Sequence, residues 1–222
     1  MPTILVSSFM AFGPSRLNSA QEAVRSLPPV IADCSVERVD VPVSYDQAVP
    51  VVLSAARRAC PAAIVCVGQA AGRAEVSFER VAINVDSSKR PDGCGIVRID
   101  VPIDPDGPAA YFTTLPISEM AMAVRAQGLP AGVSNTAGTY VCNHLMYGLL
   151  RAFDGEGEQG DEQGVACPVG FVHVPVMPEQ VAEGAFDAKT PTMSRDDASR
   201  ALVASIEALI DSNVAGLEDR SA

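Results

Sequence analysis

Only two histidines, His144 and His173, occur among the 222 residues, so any chemistry that needs an imidazole rests on one of them. The thiol best placed to use one is Cys142, in Asn135-Thr136-Ala137-Gly138-Thr139-Tyr140-Val141-Cys142-Asn143-His144, where small turn-prone residues give way to an apolar helical run. A strand-to-helix elbow there holds the sulfur at a helix N-terminus. The free N–H groups of that first turn favour a thiolate and can donate to a developing oxyanion. His144 lies two positions after Cys142, about 200° away around a helix. His173 comes near the end of an apolar strand, just before Pro175, where a side chain can emerge at a sheet edge, and is the preferred base. A base of this kind needs a group to hold its ring. Glu79, among apolar neighbours in Val76-Ser77-Phe78-Glu79-Arg80-Val81-Ala82-Ile83-Asn84, is the candidate. Residue types alone leave plainer readings open: a small buried hydrophobe for Cys142, a hydrogen-bonded core residue for His173, and for Glu79 an ion pair with the adjacent Arg80.

These residues need a scaffold, and the composition supplies one. A chain that is 48% hydrophobic and 19% charged can bury a substantial core, and its length is that of a single α/β domain spanning 1–222. The formal charge of −11 argues against nucleic acid and anionic membranes as partners, since both need clustered Lys and Arg. No run of about 18 apolar residues marks a membrane span. Thr3-Ile4-Leu5-Val6 is too short for a signal sequence and reads as a first core strand, so a cytoplasmic location is expected. Cys34, Cys60, Cys66, Cys94, Cys142 and Cys167 are scattered without a CxxC pair, which predicts free thiols rather than a zinc site or a disulfide framework.

Short apolar runs alternate with helical stretches, the pattern of a sheet covered by helices on both faces. Strands are expected at 4–7, 36–43, 63–68, 77–85, 132–134 and 170–175. Helices are expected at 20–27, opened by the capping box Ser19-Ala20-Gln21-Glu22, at 46–60 with Pro50 tolerated in the first turn, at 117–127 closed by Gly128, at 142–153, and at 194–210 with an S-x-x-D start ending at Asp197. A polar, turn-rich segment at 86–95 opens a poorly periodic connection that runs to about 114. The stretch 154–164 is a low-complexity acidic insert that reads as a mobile surface loop.

Three separated blocks resemble pyroglutamyl peptidase I, a family of cysteine peptidases also called pyrrolidone-carboxylate peptidases. They are Gly68-Gln69-Ala70-Ala71-Gly72-Arg73 through Phe78-Glu79-Arg80-Val81-Ala82-Ile83-Asn84, then the stretch around Cys142 from Asn135 to Tyr147, then Gly170 through Pro175. Ala110-Tyr111-Phe112-Thr113-Thr114-Leu115-Pro116-Ile117 and the Phe9-x-x-Phe12-Gly13 loop with Asn18 look like the same family, in the same order. The resemblance implies hydrolysis of an N-terminal pyroglutamyl residue from peptides and proteins, through a thioester, by Cys142 as nucleophile, His173 as base and acid, and Glu79 as the residue that orients the imidazole. It also implies a three-layer α/β/α sandwich around a twisted mixed sheet, no metal or organic cofactor, and a homotetramer.

Around the lactam, the resemblance points to Phe9 and Phe12 as ring contacts and to Gln69 as a hydrogen-bonding residue. Two positions depart from the family. Ala11 replaces a proline of the first loop, with Pro14 following Gly13, and Lys89 stands where the family often has an arginine, followed by Arg90-Pro91-Asp92. Lys89 offers a point charge without the planar fork, or Arg90 substitutes from a neighbouring direction. These departures leave open a silent relative that binds pyroglutamyl termini, and a third reading is a thiol redox sensor centred on Cys142.

Overall fold

The chain opens with β1 (Thr3–Phe9), whose apolar run is buried on both faces, as a central strand of a covered sheet must be. There follow α1 (Ser19–Arg25), β2 (Val30–Ile31), β3 (Cys34–Val41), α2 (Ala48–Ala59), β4 (Ala63–Gln69), β5 (Val76–Glu79), β6 (Val81–Ile83), β7 (Asp86–Ser88), β8 (Arg98–Val101) and β9 (Ala110–Phe112). The remainder comprises α3 (Ile117–Ala126), β10 (Ala131–Ser134), α4 (Val141–Phe153), β11 (Val169–Val174), α5 (Pro178–Ala182) and α6 (Arg195–Asp219). This computed structural model describes residues 1–13, 15–154 and 167–219. Of the acidic insert expected at 154–164 only Asp154 is among them; the rest, like Pro14, lies outside the described residues.

Seven strands form one mixed sheet in the order β10-β5-β11-β4-β1-β3-β2. The strands β3, β1, β4 and β11 run parallel, β5 lies antiparallel to β11, and β10 runs parallel to β5. Strand alternation sorts the core into two layers. Ile4, Val6, Val65, Val67, Phe78, Val172 and Val174 pack with residues of α1, α3 and α6 on one face. Leu5, Phe9, Ile64, Cys66 and Phe171 pack with residues of α2 and α4 on the other, completing the α/β/α sandwich.

Local choices match the sequence with instructive shifts. The first helix is capped by Asn18, whose carbonyl oxygen accepts from the Ala20 N–H, and not by Ser19. Asparagine caps as well as serine, and both the N–H and the hydroxyl of Ser19 are already bound to Gln69. Gly128 closes α3 with a φ of +73°, the left-handed position that glycine adopts without strain. Ser194 opens α6 as expected, its hydroxyl meeting both the N–H and the carboxylate of Asp197.

The single strand expected over 77–85 is two strands. Phe78 and Ala82 are four apart and would share a face of an unbroken strand, yet each is buried in a different core layer. The chain therefore leaves the large sheet at Arg80, and β6 pairs with β9 instead. The poorly periodic connection after it contains a second small ladder, β7 with β8, whose turn is organised by Asp92. That carboxylate accepts from the N–H groups of Tyr45, Cys94 and Ile96. Turn chemistry rather than hydrophobic period builds this arm, which explains why periodicity alone reads it as a loop.

Candidate active site

The pleat and the strand register bring Glu79 and His173 together. Phe78 faces the α1/α3/α6 layer, so Glu79 faces the opposite one, and Phe171 places His173 on that same side by its period of two. Antiparallel pairing sets Phe171 opposite Glu79 and His173 opposite Ser77, which makes Glu79 and His173 diagonal neighbours. Their side chains meet at 2.7 Å between Nδ1 and Oε1, with Glu79 fully buried and His173 nearly so. An ionised carboxylate only accepts, so Nδ1 carries the proton and Nε2 presents its lone pair.

Arg73 completes this pair, and sequence reasoning did not assign it a role. Its Nη1 donates to the same Glu79 Oε1 at 2.6 Å, and its Nη2 donates to the Thr136 carbonyl at 3.0 Å. Arg80, the ion-pair partner weighed for Glu79, instead donates to Asn135 Oδ1 at 2.8 Å. Neighbours in a strand point to opposite faces, so the adjacent arginine cannot reach the face Glu79 uses. The available signal was chemical: a carboxylate between apolar residues needs a cation, and Arg73 closes the glycine-containing turn that leads into β5.

Cys142 sits in the first turn of α4, two residues after its N-cap residue Tyr140, which supplies no side-chain hydrogen bond to the cap. The first-turn N–H groups are thus left for a ligand. The sulfur packs against the same core layer as Phe171 and Cys66. Burial pushes the Cys142 thiol up to about 12, the charge of Glu79 adds to the rise, and Arg73 and the residue's own N–H offset only part of it. Apolar surroundings and the Glu79 carboxylate thus oppose the thiolate that the helix terminus favours. Burial likewise holds His173 below the ordinary imidazole value, against the pull of Glu79, so the resting base is neutral.

These two directions fix a pH dependence. A His173 value below its ordinary 6.5 keeps the base form available under mildly acid conditions, so the acid limb of kcat/KM should fall below pH 6.5. The stability sign is the same: the unfolded chain takes up the proton first, so stability is lost as pH falls from 6.5 toward the folded value. Rates of thiol alkylation should rise into the alkaline range without the low-pH plateau of a preformed thiolate, which a titration with iodoacetamide reads directly.

Gly68 makes room for the imidazole. It pairs with His173 across β4 and β11, and a Cβ there would come within 2.8 Å of the Phe171 ring and 3.1 Å of His173 Cδ2. Gly68→Ala should displace both rings and lower kcat about 100-fold, the cost of misplacing a catalytic group by around 1 Å, with a steady-state assay as the check.

His144 is occupied elsewhere. Its Nδ1 donates to Asp86 Oδ2 at 2.9 Å, the oxygen that also accepts from Arg98 at 2.8 Å. Tyr45 stacks edge-on against His144 with centroids 5.5 Å apart, and the Arg98 guanidinium lies 4.7 Å from the Tyr45 ring centre. This buried cluster ties the β7–β8 arm to α4, helped by Asn143, whose amide bonds the backbone of Ile83 and Val85. Asp86→Ala should cost about 3 kcal/mol, the lower end for breaking a buried pair because Arg98 keeps Asp46; chemical denaturation measures it.

The remaining candidates fall into two groups. Phe9 is core, packed against Phe171 at 6.4 Å, and the other neighbour of Phe171 is His173 at 4.8 Å. Phe12 is half-buried under the Arg90 guanidinium, 4.5 Å from its centre, with Tyr140 at 6.4 Å. Arg90 is thus brought to the loop after β1 and to the N-cap of α4, and both it and its neighbour Lys89 are exposed. Gln69 ends β4 and spends its carbonyl oxygen on Ser19.

An α/β/α sandwich that aligns a buried glutamate with a neutral histidine and sets a cysteine at a helix N-terminus defines the class of cysteine-type hydrolases. Comparison with known proteins narrows the class. The family model described as pyroglutamyl peptidase matches residues 2–212. Pyrrolidone-carboxylate peptidase 1 of Caldanaerobacter subterraneus is 40% identical over 207 residues, covering 93% of this chain and 97% of that protein. The pyrrolidone-carboxylate peptidase of Levilactobacillus brevis is 42% identical with the same coverage, over 207 residues, 93% and 97%. The crystal structure of pyroglutamyl peptidase I from Bacillus amyloliquefaciens superposes with a TM-score of 0.85 at 34% identity, covering 94% of this chain and 97% of that one. The chain belongs to the pyroglutamyl peptidase family, cysteine peptidases that remove an N-terminal pyroglutamyl residue.

Proposed function

We propose that Cys142 is the acylating nucleophile, His173 its general base and acid, and Glu79 the group that orients the imidazole. The observation that carries this reading is the 2.7 Å bond between His173 and a fully buried Glu79 on the sheet face that α4 covers. Nε2 of His173 takes the Cys142 proton as sulfur attacks the pyroglutamyl carbonyl carbon. The oxyanion so formed is met by N–H groups of the first turn of α4, each such donor worth about 3–4 kcal/mol. Collapse forms the thioester as His173 hands its proton to the departing amine. Water, deprotonated by the neutral His173, then cleaves the thioester and frees pyroglutamate while the thiol regains its proton.

Substrates are peptides and proteins whose N-terminus is a closed lactam. Phe12 with Arg90 forms one wall of the pocket, Phe9 supports it from the core through Phe171, and the Gln69 amide N–H₂ serves the lactam carbonyl, its oxygen being held by Ser19. Lys89 and Arg90 put positive charge at the lip, where a free α-ammonium is repelled and a neutral lactam is not. The enzyme works as a homotetramer, a reading supported by the exposed Val97, Ile99 and Phe112 on the arm and β9. It works in the cytoplasm, a reading supported by six free thiols. The silent-binder and redox-sensor readings lose ground because the chain belongs to a family of cysteine peptidases and carries the buried His173–Glu79 pair. A fluorogenic pyroglutamyl amide should be cleaved in a thiol-dependent manner while the open-chain glutaminyl amide is left intact. Equal cleavage of both contradicts the assignment.

A further inference from the structure

We propose that Arg73 is a positioning residue of the reaction, one guanidinium that locks the Glu79 carboxylate to the loop presenting Cys142. The proposal rests on the assignment of Cys142, His173 and Glu79 above. Its geometry uses the two-pronged fork of arginine: Nη1 on Glu79 Oε1 and Nη2 on the carbonyl of Thr136, six residues before the nucleophile. A lysine has one nitrogen and cannot span both acceptors in the same way. The loop that carries Arg73 is itself pinned to the histidine strand, since the Ala70 N–H donates to the Val174 carbonyl at 2.9 Å. Three separate segments, the loop after β4, the end of β5 and the elbow before α4, therefore meet at one side chain. Thr136 is held from its own side by the Ser134 hydroxyl at 3.1 Å, which makes its carbonyl a fixed anchor rather than a loose contact.

The choice of oxygen matters. Arg73 and His173 share Oε1, while the buried Oε2 has no partner among the described residues. A carboxylate free to rotate could offer His173 either oxygen, and the imidazole would follow it. Arg73 fixes which oxygen the imidazole sees. Among the described residues it is the cation that acts on both Cys142 and His173, alongside Glu79 on β5 and Cys66 on β4. It opposes the imidazolium and favours the thiolate, so it lowers both groups together.

The test uses the full-length enzyme. Arg73→Met should lower kcat about 100-fold with KM within about threefold, the signature of lost alignment rather than lost binding, and should move the acid limb of kcat/KM upward. Arg73→Lys, which keeps the charge, should lose less in kcat than Arg73→Met and leave the acid limb nearer that of the wild type. Arg73→Ala should be partly rescued by added guanidinium ion, a readout that a purely structural arginine does not give. Unchanged kcat in Arg73→Met, loss confined to KM, or loss in the Ala variant that guanidinium leaves untouched overturns the proposal. Acylation of Cys142 in the wild type, followed by mass, reads the underlying assignment separately. No adduct there overturns the triad and the proposal together, whereas a normal adduct with unchanged kcat in Arg73→Met overturns the role of Arg73 alone.

Discussion

Cys142→Ala should abolish pyroglutamyl turnover, lowering kcat on the order of 10⁶-fold, as deletion of a single nucleophile does in other peptidases. Cys66, a thiol of the same core layer, is fully buried in β4 and itself pushed up to about 12 by burial, so it is poorly placed to take over. Cys142→Ser should be nearly as inactive, because the same apolar surroundings that raise the thiol oppose an alkoxide still more strongly. Stability should change by only about 1 kcal/mol, since one partly exposed sulfur is lost without an orphaned polar group. Cys60→Ala and Cys94→Ala, both at exposed thiols, should retain full activity. That contrast separates a peptidase from a redox sensor, in which the Cys142 variants would lose an oxidation signal and no hydrolysis.

The second large effect is at Glu79, where two substitutions should diverge. Glu79→Ala removes the acceptor, frees the imidazole to rotate or change tautomer, and leaves Arg73 facing the imidazolium without compensation; kcat should fall about 10⁴-fold. Glu79→Gln should be milder, about 100-fold. Arg73 and His173 both donate to Oε1, so the glutamine must turn its carbonyl oxygen to them and its N–H₂ toward the vacant Oε2 side. The orientation and tautomer of His173 survive, and only the negative charge is lost. If Glu79→Gln were as damaging as Glu79→Ala, the shared-oxygen geometry would not be what holds the ring. Stopped assays with both variants, alongside denaturation curves to exclude misfolding, settle the comparison.

Much of this site was readable before any coordinates. Histidine scarcity and helix geometry favoured His173 over His144, and the structure gives His144 a full set of neighbours in Asp86 and Tyr45. A sheet with helices on both faces followed from apolar runs alternating with helical stretches, and the α/β/α sandwich from the resemblance. What escaped was everything that depends on chain segments meeting from afar. Arg73 bridges to Thr136 across 63 residues of sequence, a contact no local pattern encodes. The β7–β8 arm escaped because Asp92 and backbone N–H groups shape it, not a hydrophobic period. The surroundings of Cys142 escaped for a related reason: the helix start is local and visible, whereas the burial and the Glu79 charge that push the thiol up come from the tertiary fold.

Acylation of Cys142 is tested most directly by a rapid-quench single turnover with an activated pyroglutamyl ester, whose good leaving group makes acylation outrun deacylation. Digestion and mass mapping of the quenched enzyme should find one pyroglutamyl group per chain, labile to hydroxylamine, on the peptide containing Cys142, and none in Cys142→Ala. Turnover that proceeds with the acyl group on another residue, or undiminished in Cys142→Ala, contradicts it.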